Sequence, residues 1–161
     1  MRIVLTVLAL LFASPALAQQ WGSYENARFG YVIEVPPGYL AAPEAENGDG
    51  RVFRSAEGTQ LLRVYAGDNM DVDFEASLSA AMEFARAAGW ALSYERVTPS
   101  WASFSGTRNG LVLYARAISI CGGRQYASFE LEYPERDISR MNPVVERLVA
   151  SLRGTGDGAG C

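Results

Sequence analysis

Apolar and polar residues alternate over 28–35, placing Phe29, Tyr31, Ile33 and Val35 on one face, and Pro36-Pro37-Gly38 ends the run. A polar loop follows over 41–50 and closes in Asn47-Gly48-Asp49-Gly50. Residues 51–55 and 59–66 read as two further strands across a turn at Ala56-Glu57-Gly58. The period then changes. Phe74, Leu78, Ala81, Met82, Ala85 and Ala88 fall on one helical stripe, with Asp71 or Asp73 as N-cap and Gly89 at the end. Strands are predicted again over 91–97, 101–107, 111–121 and 124–133, with Asn109-Gly110 and Gly122-Gly123 as turns. If Gly122-Gly123 is the whole loop, Ile118 opposes Ala127, Tyr114 opposes Leu131 and Val112 opposes Tyr133. Arg116 then opposes Phe129 as the one polar member of an apolar face. Asn142-Pro143 reads as N-cap and first position of a last helix, with Val145, Leu148 and Leu152 as its stripe and Gly154 as its stop.

Strands, a helix, more strands and a helix, joined by hairpins, predict an α+β class. A mostly antiparallel sheet is flanked by two amphipathic helices that bury their stripes against it. The 161 residues fit one domain. Met1-Arg2, an apolar run to Phe12, Pro15 and Ala16-Leu17-Ala18 read as a signal peptide over 1–18, cut after Ala18. Its apolar run is about ten residues, against the ~20 that span a bilayer, and no later segment reads as transmembrane. Residues 19–153 are then a single domain, and 154–161 a flexible glycine-rich tail. The expected location is periplasmic or secreted.

Composition narrows the chemistry. Histidine and lysine are both absent, so all 14 basic residues are arginine. That excludes His-based triads, His-built zinc sites, lysine Schiff bases and the P-loop lysine. The net charge of −4 and the scattered arginines make nucleic acid a poor partner. In an oxidising compartment, Cys121 and Cys161 are expected to form a disulfide, closing a loop worth ~4 kcal/mol on the chain-entropy estimate. An intermolecular bond through Cys161 is the alternative.

Four side-chain groups merit a chemical reading. Asp68, Asp71, Asp73 and Glu75 have the alternation of a calcium loop, but lack its glycine and distal glutamate, so helix capping explains them better. Asn47 to Gly50 reads as a turn before a ligand loop. Glu130 and Glu132 share one strand face about 7 Å apart. That separation suits a carboxylate-based glycosidase, although alternating glutamates more often mark a wet face. Arg116 needs a carboxylate if buried, can anchor an anion if half-buried, and most simply snorkels across the sheet edge. Trp21, Tyr24, Phe29, Tyr31 and Tyr39 are expected mostly in the core.

The opening Tyr24-x-Asn26-x-Arg28-Phe29-Gly30-Tyr31-x-Ile33-x-Val35-Pro36-x-Gly38 resembles the first strand and turn of PsbP-like domains. It is also similar to small exported bacterial proteins of unassigned function. The loop at 47–50, Val52-Phe53-Arg54-Ser55, Glu132-Tyr133-Pro134 and the closing helix fit the same layout. The resemblance implies a curved antiparallel sheet in a PsbP-like sandwich, a non-catalytic role and a protein partner, with no functional residue to carry over. The expectation is an exported monomer, without cofactor, metal or catalytic site, that binds or supports another cell-envelope protein. A small-ligand or calcium-binding module is the alternative, and a carboxylate-based hydrolase the third reading.

Overall fold

Runs such as 61–68 become strands in which every second side chain is buried. In the computed structural model, which describes residues 20–70, 72–156, 158 and 161, these strands form two antiparallel sheets. The larger has seven strands in the order β3-β4-β5-β9-β8-β7-β6. They are β3 (Tyr39–Glu44), β4 (Gly50–Ser55), β5 (Leu61–Asp68), β6 (Ala91–Val97), β7 (Trp101–Arg108), β8 (Leu111–Ile120) and β9 (Gln125–Pro134). The smaller pairs β2 (Tyr31–Val35) with β1 (Gly22–Asn26) on one side and β10 (Arg153–Gly154) on the other. Helix α1 (Phe74–Ala87) interrupts the strands and α2 (Ile138–Ser151) follows them.

The register between β8 and β9 is the expected one: Val112, Tyr114, Arg116 and Ile118 oppose Tyr133, Leu131, Phe129 and Ala127. Asn109 and Gly110 both take positive φ, as a two-residue hairpin requires, and bring Arg108 opposite Leu111. Alternation then sends successive β8 residues to opposite faces. Val112 and Ile120 join Phe129, Leu131, Tyr31, Ile33 and the α2 residues Met141, Val145 and Leu148 in the main core. Leu113, Ala115 and Ala117 face the other way and pack with Met82, Ala85, Phe74 and Leu78 of α1. The large sheet therefore lies between α1 on one side and a layer made of the small sheet and α2 on the other.

Several expectations are corrected. One sheet was expected, and there are two. The strand predicted over 28–35 starts at Tyr31, since residues 27–30 turn, and β1 before it is mostly polar and offers no apolar alternation to read. Residues 39–44, expected to lie largely in a polar loop, form edge strand β3, whose pairing with β4 shifts register near Pro43. An edge strand with mostly exposed side chains needs no apolar alternation. Helix α2 begins at Ile138, so Asn142-Pro143 is not its start and Pro143 lies inside it. A 3-10 turn over Glu135–Asp137 leads into the helix, and buried Met141 anchors its first turns. Beyond α2, Arg153 and Gly154 pair with Val32 and Tyr31, Thr155 N–H donates to Gly30 O at 2.7 Å, and Cys161 is bonded to Cys121. The expected signal peptide, 1–18, lies outside the described residues.

Tyr24, Phe29 and Tyr31 are buried, while Trp21 and Tyr39 pack against the core from partly exposed positions. The motif at 24–31 holds the loop at 47–50. Asn26 Nδ2 donates to Gly48 O at 2.9 Å, its Oδ1 accepts from Phe29 N–H, and Tyr31 Oη donates to Asp49 O. These residues carry the family resemblance and their work is structural.

Candidate functional site

Seven strands at about 4.8 Å spacing span ~29 Å, whereas three strands and one helix side by side cover ~20 Å. On the α2 side, then, the layer cannot reach both edges, and β6 and β7 are left open. Cross-strand rows run out of the core onto this open part. Val64, Phe129, Arg116, Ser103 and Arg96 form one row across five strands, and Leu62, Leu131, Tyr114, Ser105 and Tyr94 form the next. Each row begins fully buried and ends exposed.

Arg116 sits where the rows change character. Its guanidinium lies 4.1 Å from the centroid of Trp101, and Nη1 donates to Ser103 Oγ at 3.2 Å. Its Nε is sealed from solvent, with no hydrogen-bond partner among the described residues. Tyr114 Oη reaches the same Ser103 oxygen at 3.5 Å. Ser103 is itself buried. A hairpin turn fixes Trp101: Thr98 Oγ1 donates to Trp101 O at 2.8 Å and accepts from its N–H at 3.1 Å. Arg96 on edge strand β6 also lies over Trp101, 5.6 Å from the ring centroid. Such stacking is worth ~1–2 kcal/mol when partly desolvated. Desolvation lowers the Arg116 pKa from its ordinary value, and the titrating groups that oppose this are the phenols of Tyr114 and Tyr94, not carboxylates. The side chain thus neither finds the buried carboxylate partner nor simply snorkels away; it rests on an aromatic shelf at the mouth of the open face.

Beside it runs a groove of about 440 Å³. Ser105, Thr107, Tyr114 and Tyr133 line the sheet side, and Ile138 and Glu146 the α2 side. Ser93 borders it where the β6–β7 register shifts between Leu92 and Tyr94. Ile138, in its lining, is an exposed large side chain, as is Tyr94, which pairs across the strands with the lining residue Ser105. Only Arg116 of this set was singled out from sequence. Trp101, Ser103 and Arg96 were missed, yet the Asn109-Gly110 hairpin carries the signal: extending its register puts Ser103 opposite Arg116 and Trp101 diagonal to it.

The other candidates are occupied by structural partners. Asp73 caps α1, its Oδ1 accepting from Ala76 N–H at 2.7 Å, and Asp68 accepts from Gln125 Nε2 at 2.9 Å. Asp71 lies outside the described residues. Among the described residues no three His, Cys, Asp or Glu side chains converge as a metal site. Glu130 and Glu132 line a cavity of about 280 Å³ beneath α1, but Arg63 pairs with both, and Tyr65 Oη donates to Glu130 at 2.9 Å. Two facing carboxylates free to share acid and base roles are not presented there. Cys121 and Cys161 form the disulfide, with their Cα atoms 5.1 Å apart.

No protein-family model matches the chain, and no curated protein matches it in sequence. Solved structures do. Cyanobacterial PsbP (CyanoP) from Synechocystis sp. PCC 6803 superposes with a TM-score of 0.64 at 13% identity, over 88% of this chain and 96% of that one. This chain has the PsbP-like fold. The Saccharomyces cerevisiae Ran-binding protein Mog1p shares it, with a TM-score of 0.62 at 11% identity, over 86% of this chain and 97% of Mog1p. In this PsbP-like domain the open β6–β8 face is bounded by α2 on one side and by the free β6 edge on the other.

Proposed function

We propose that this PsbP-like chain is an exported, non-catalytic domain that binds or supports another protein of the cell envelope, using the open face around Arg116. The observation that carries the reading is the uncovered shelf of Trp101, Arg116, Tyr114 and Tyr94 beside a groove. Aromatic and arginine side chains at a half-desolvated surface are the composition of an interface centre. Mog1p, of the same fold, is a Ran-binding protein, which supports a binding role for the architecture without specifying the partner. The disulfide and the absence, among the described residues, of a helix long and apolar enough to cross a membrane are compatible with export.

The test is co-fractionation in the producing cell. The chain, expressed at its natural level, is expected to elute with a larger species from a gentle envelope extract. A folded Arg116→Met, Tyr94→Ala variant is expected to elute as the free domain. Elution of the unaltered chain as free monomer throughout would overturn the reading.

A further inference from the structure

We propose that the arginine end of the open face is a carboxylate-binding subsite, which receives an aspartate or glutamate side chain from an acidic segment of the partner protein. The proposal rests on the protein-binding reading and names the chemistry the partner brings to that face.

Its basis is charge that the domain leaves unanswered. Acidic residues outnumber basic ones, 18 to 14. Elsewhere Arg63, Arg86, Arg140 and Arg147 each meet a carboxylate. Arg51 and Arg108 instead give N–H groups to the backbone carbonyls of Ala42 and Ala88. Arg116 is half-buried, yet among the described residues the acceptor it meets is one serine hydroxyl at Nη1, which leaves the rest of the guanidinium fork without an acidic partner. A second cation, Arg96, stands in the same cross-strand row with Ser103 between them, and both lie over Trp101. Among the described residues neither arginine takes part in an ion pair, so a carboxylate at this end of the face gains charge-assisted hydrogen bonds from guanidinium N–H groups without displacing an acidic partner.

The surroundings select a carboxylate. Phosphate sites commonly add backbone N–H groups from a helix N-terminus or glycine-rich loop. Here the ladder pairs β7 with both β6 and β8, and the donors on offer are guanidinium forks, whose planar geometry matches a carboxylate. The groove beyond the arginines favours a side chain on an extended segment: its lining is hydroxyl-bearing and apolar, with Ile138 and Tyr114 available for packing. Glu146 on the α2 wall is its carboxylate, which keeps an incoming acid at the arginine end. The net charge of −4 opposes general attraction of acidic chains, so recognition has to be local.

The test is an NMR titration of the folded, disulfide-bonded domain with acetylated, amidated tetraglutamate at constant ionic strength. Tetraglutamine and inorganic phosphate are the controls. Saturable shifts of the Trp101 indole N–H and the Arg96 and Arg116 Nε–H signals are expected at about 1 mM tetraglutamate, the affinity of two charge-assisted contacts. Arg116→Met and Arg96→Met should each weaken the response roughly fivefold or more. Arg96 is on the exposed edge strand, so its variant reports even if the Arg116 variant does not fold. An equal response to tetraglutamine, a stronger one to phosphate, or none with tetraglutamate would overturn the subsite. If co-fractionation still depends on Arg116 and Tyr94 while tetraglutamate gives no response, the docking face stands and its carboxylate subsite falls.

Discussion

At Gly30 the chain must turn with φ near +63°, and a Cβ there would lie 2.3 Å from Gly158 N. Gly30→Ala therefore meets both a backbone penalty and a clash with the backbone of the tied tail. It should lower stability by about 2 kcal/mol or more, read from urea unfolding; an unchanged midpoint would show that this packing contributes nothing. Arg116 shows how far single residues were legible. Centring the hairpin on Gly122-Gly123 places it opposite Phe129. Its aromatic shelf depends on a neighbouring strand and a diagonal contact, which period-two alternation within one strand does not report. Asn26 was legible as part of a motif, but its clasp on Gly48 spans 22 residues and is visible only in three dimensions.

At the scale of elements, α1 was readable because its stripe, cap and stop agree. Asp73→Ala removes the carboxylate that accepts from Ala76 N–H and is expected to cost ~1 kcal/mol, by chemical denaturation. Helix α2 was misread at its start because Asn-Pro is a strong local signal for an N-terminus. Tertiary burial of Met141 overrides it and extends the helix back to Ile138. Pro143 then sits exposed inside the helix, without an N–H for the carbonyl of Ser139. Pro143→Ala should stabilise the domain by ~1 kcal/mol, the restored helical bond and better propensity outweighing the freer unfolded chain. A loss of stability would mean that the proline's fixed φ outweighs the bond it removes. Strand β3 escaped notice for the opposite reason: as an exposed edge it has no hydrophobic alternation to read.

Across the whole molecule, pH stability follows from which groups titrate. Glu34 has its pKa lowered by its hydrogen bond to Arg147, so its contribution is present above the ordinary carboxylate value and is lost as pH falls through the lowered one. Tyr31, Tyr39 and Tyr65 are raised by burial, so their contribution is intact below the ordinary phenol value and disappears on the alkaline side as pH rises. With no histidine or lysine side chain between, the melting temperature should be flat from roughly pH 6 to 9. It should fall on both sides, the acid limb becoming shallower in Glu34→Gln. A pronounced slope near neutrality would contradict that ledger of groups. The α+β class and most strands of the large sheet were legible from period and turns. The division into two sheets was not, because a three-stranded layer completed by Arg153 and Gly154 depends on where the tail returns.

That division leaves β6 and β7 open, and a partner protein is expected to cover them. Photo-cross-linking in the producing cell tests it most directly, with a benzophenone amino acid placed at Tyr94 on the open face or at Phe84 on exposed α1. Both positions are solvent-facing and lie on opposite sides of the large sheet. A discrete adduct from position 94, absent from position 84 and lost in Arg116→Met, is the predicted result. Adducts from position 84 with none from position 94 would place the partner on the α1 side and rule out docking on the open face.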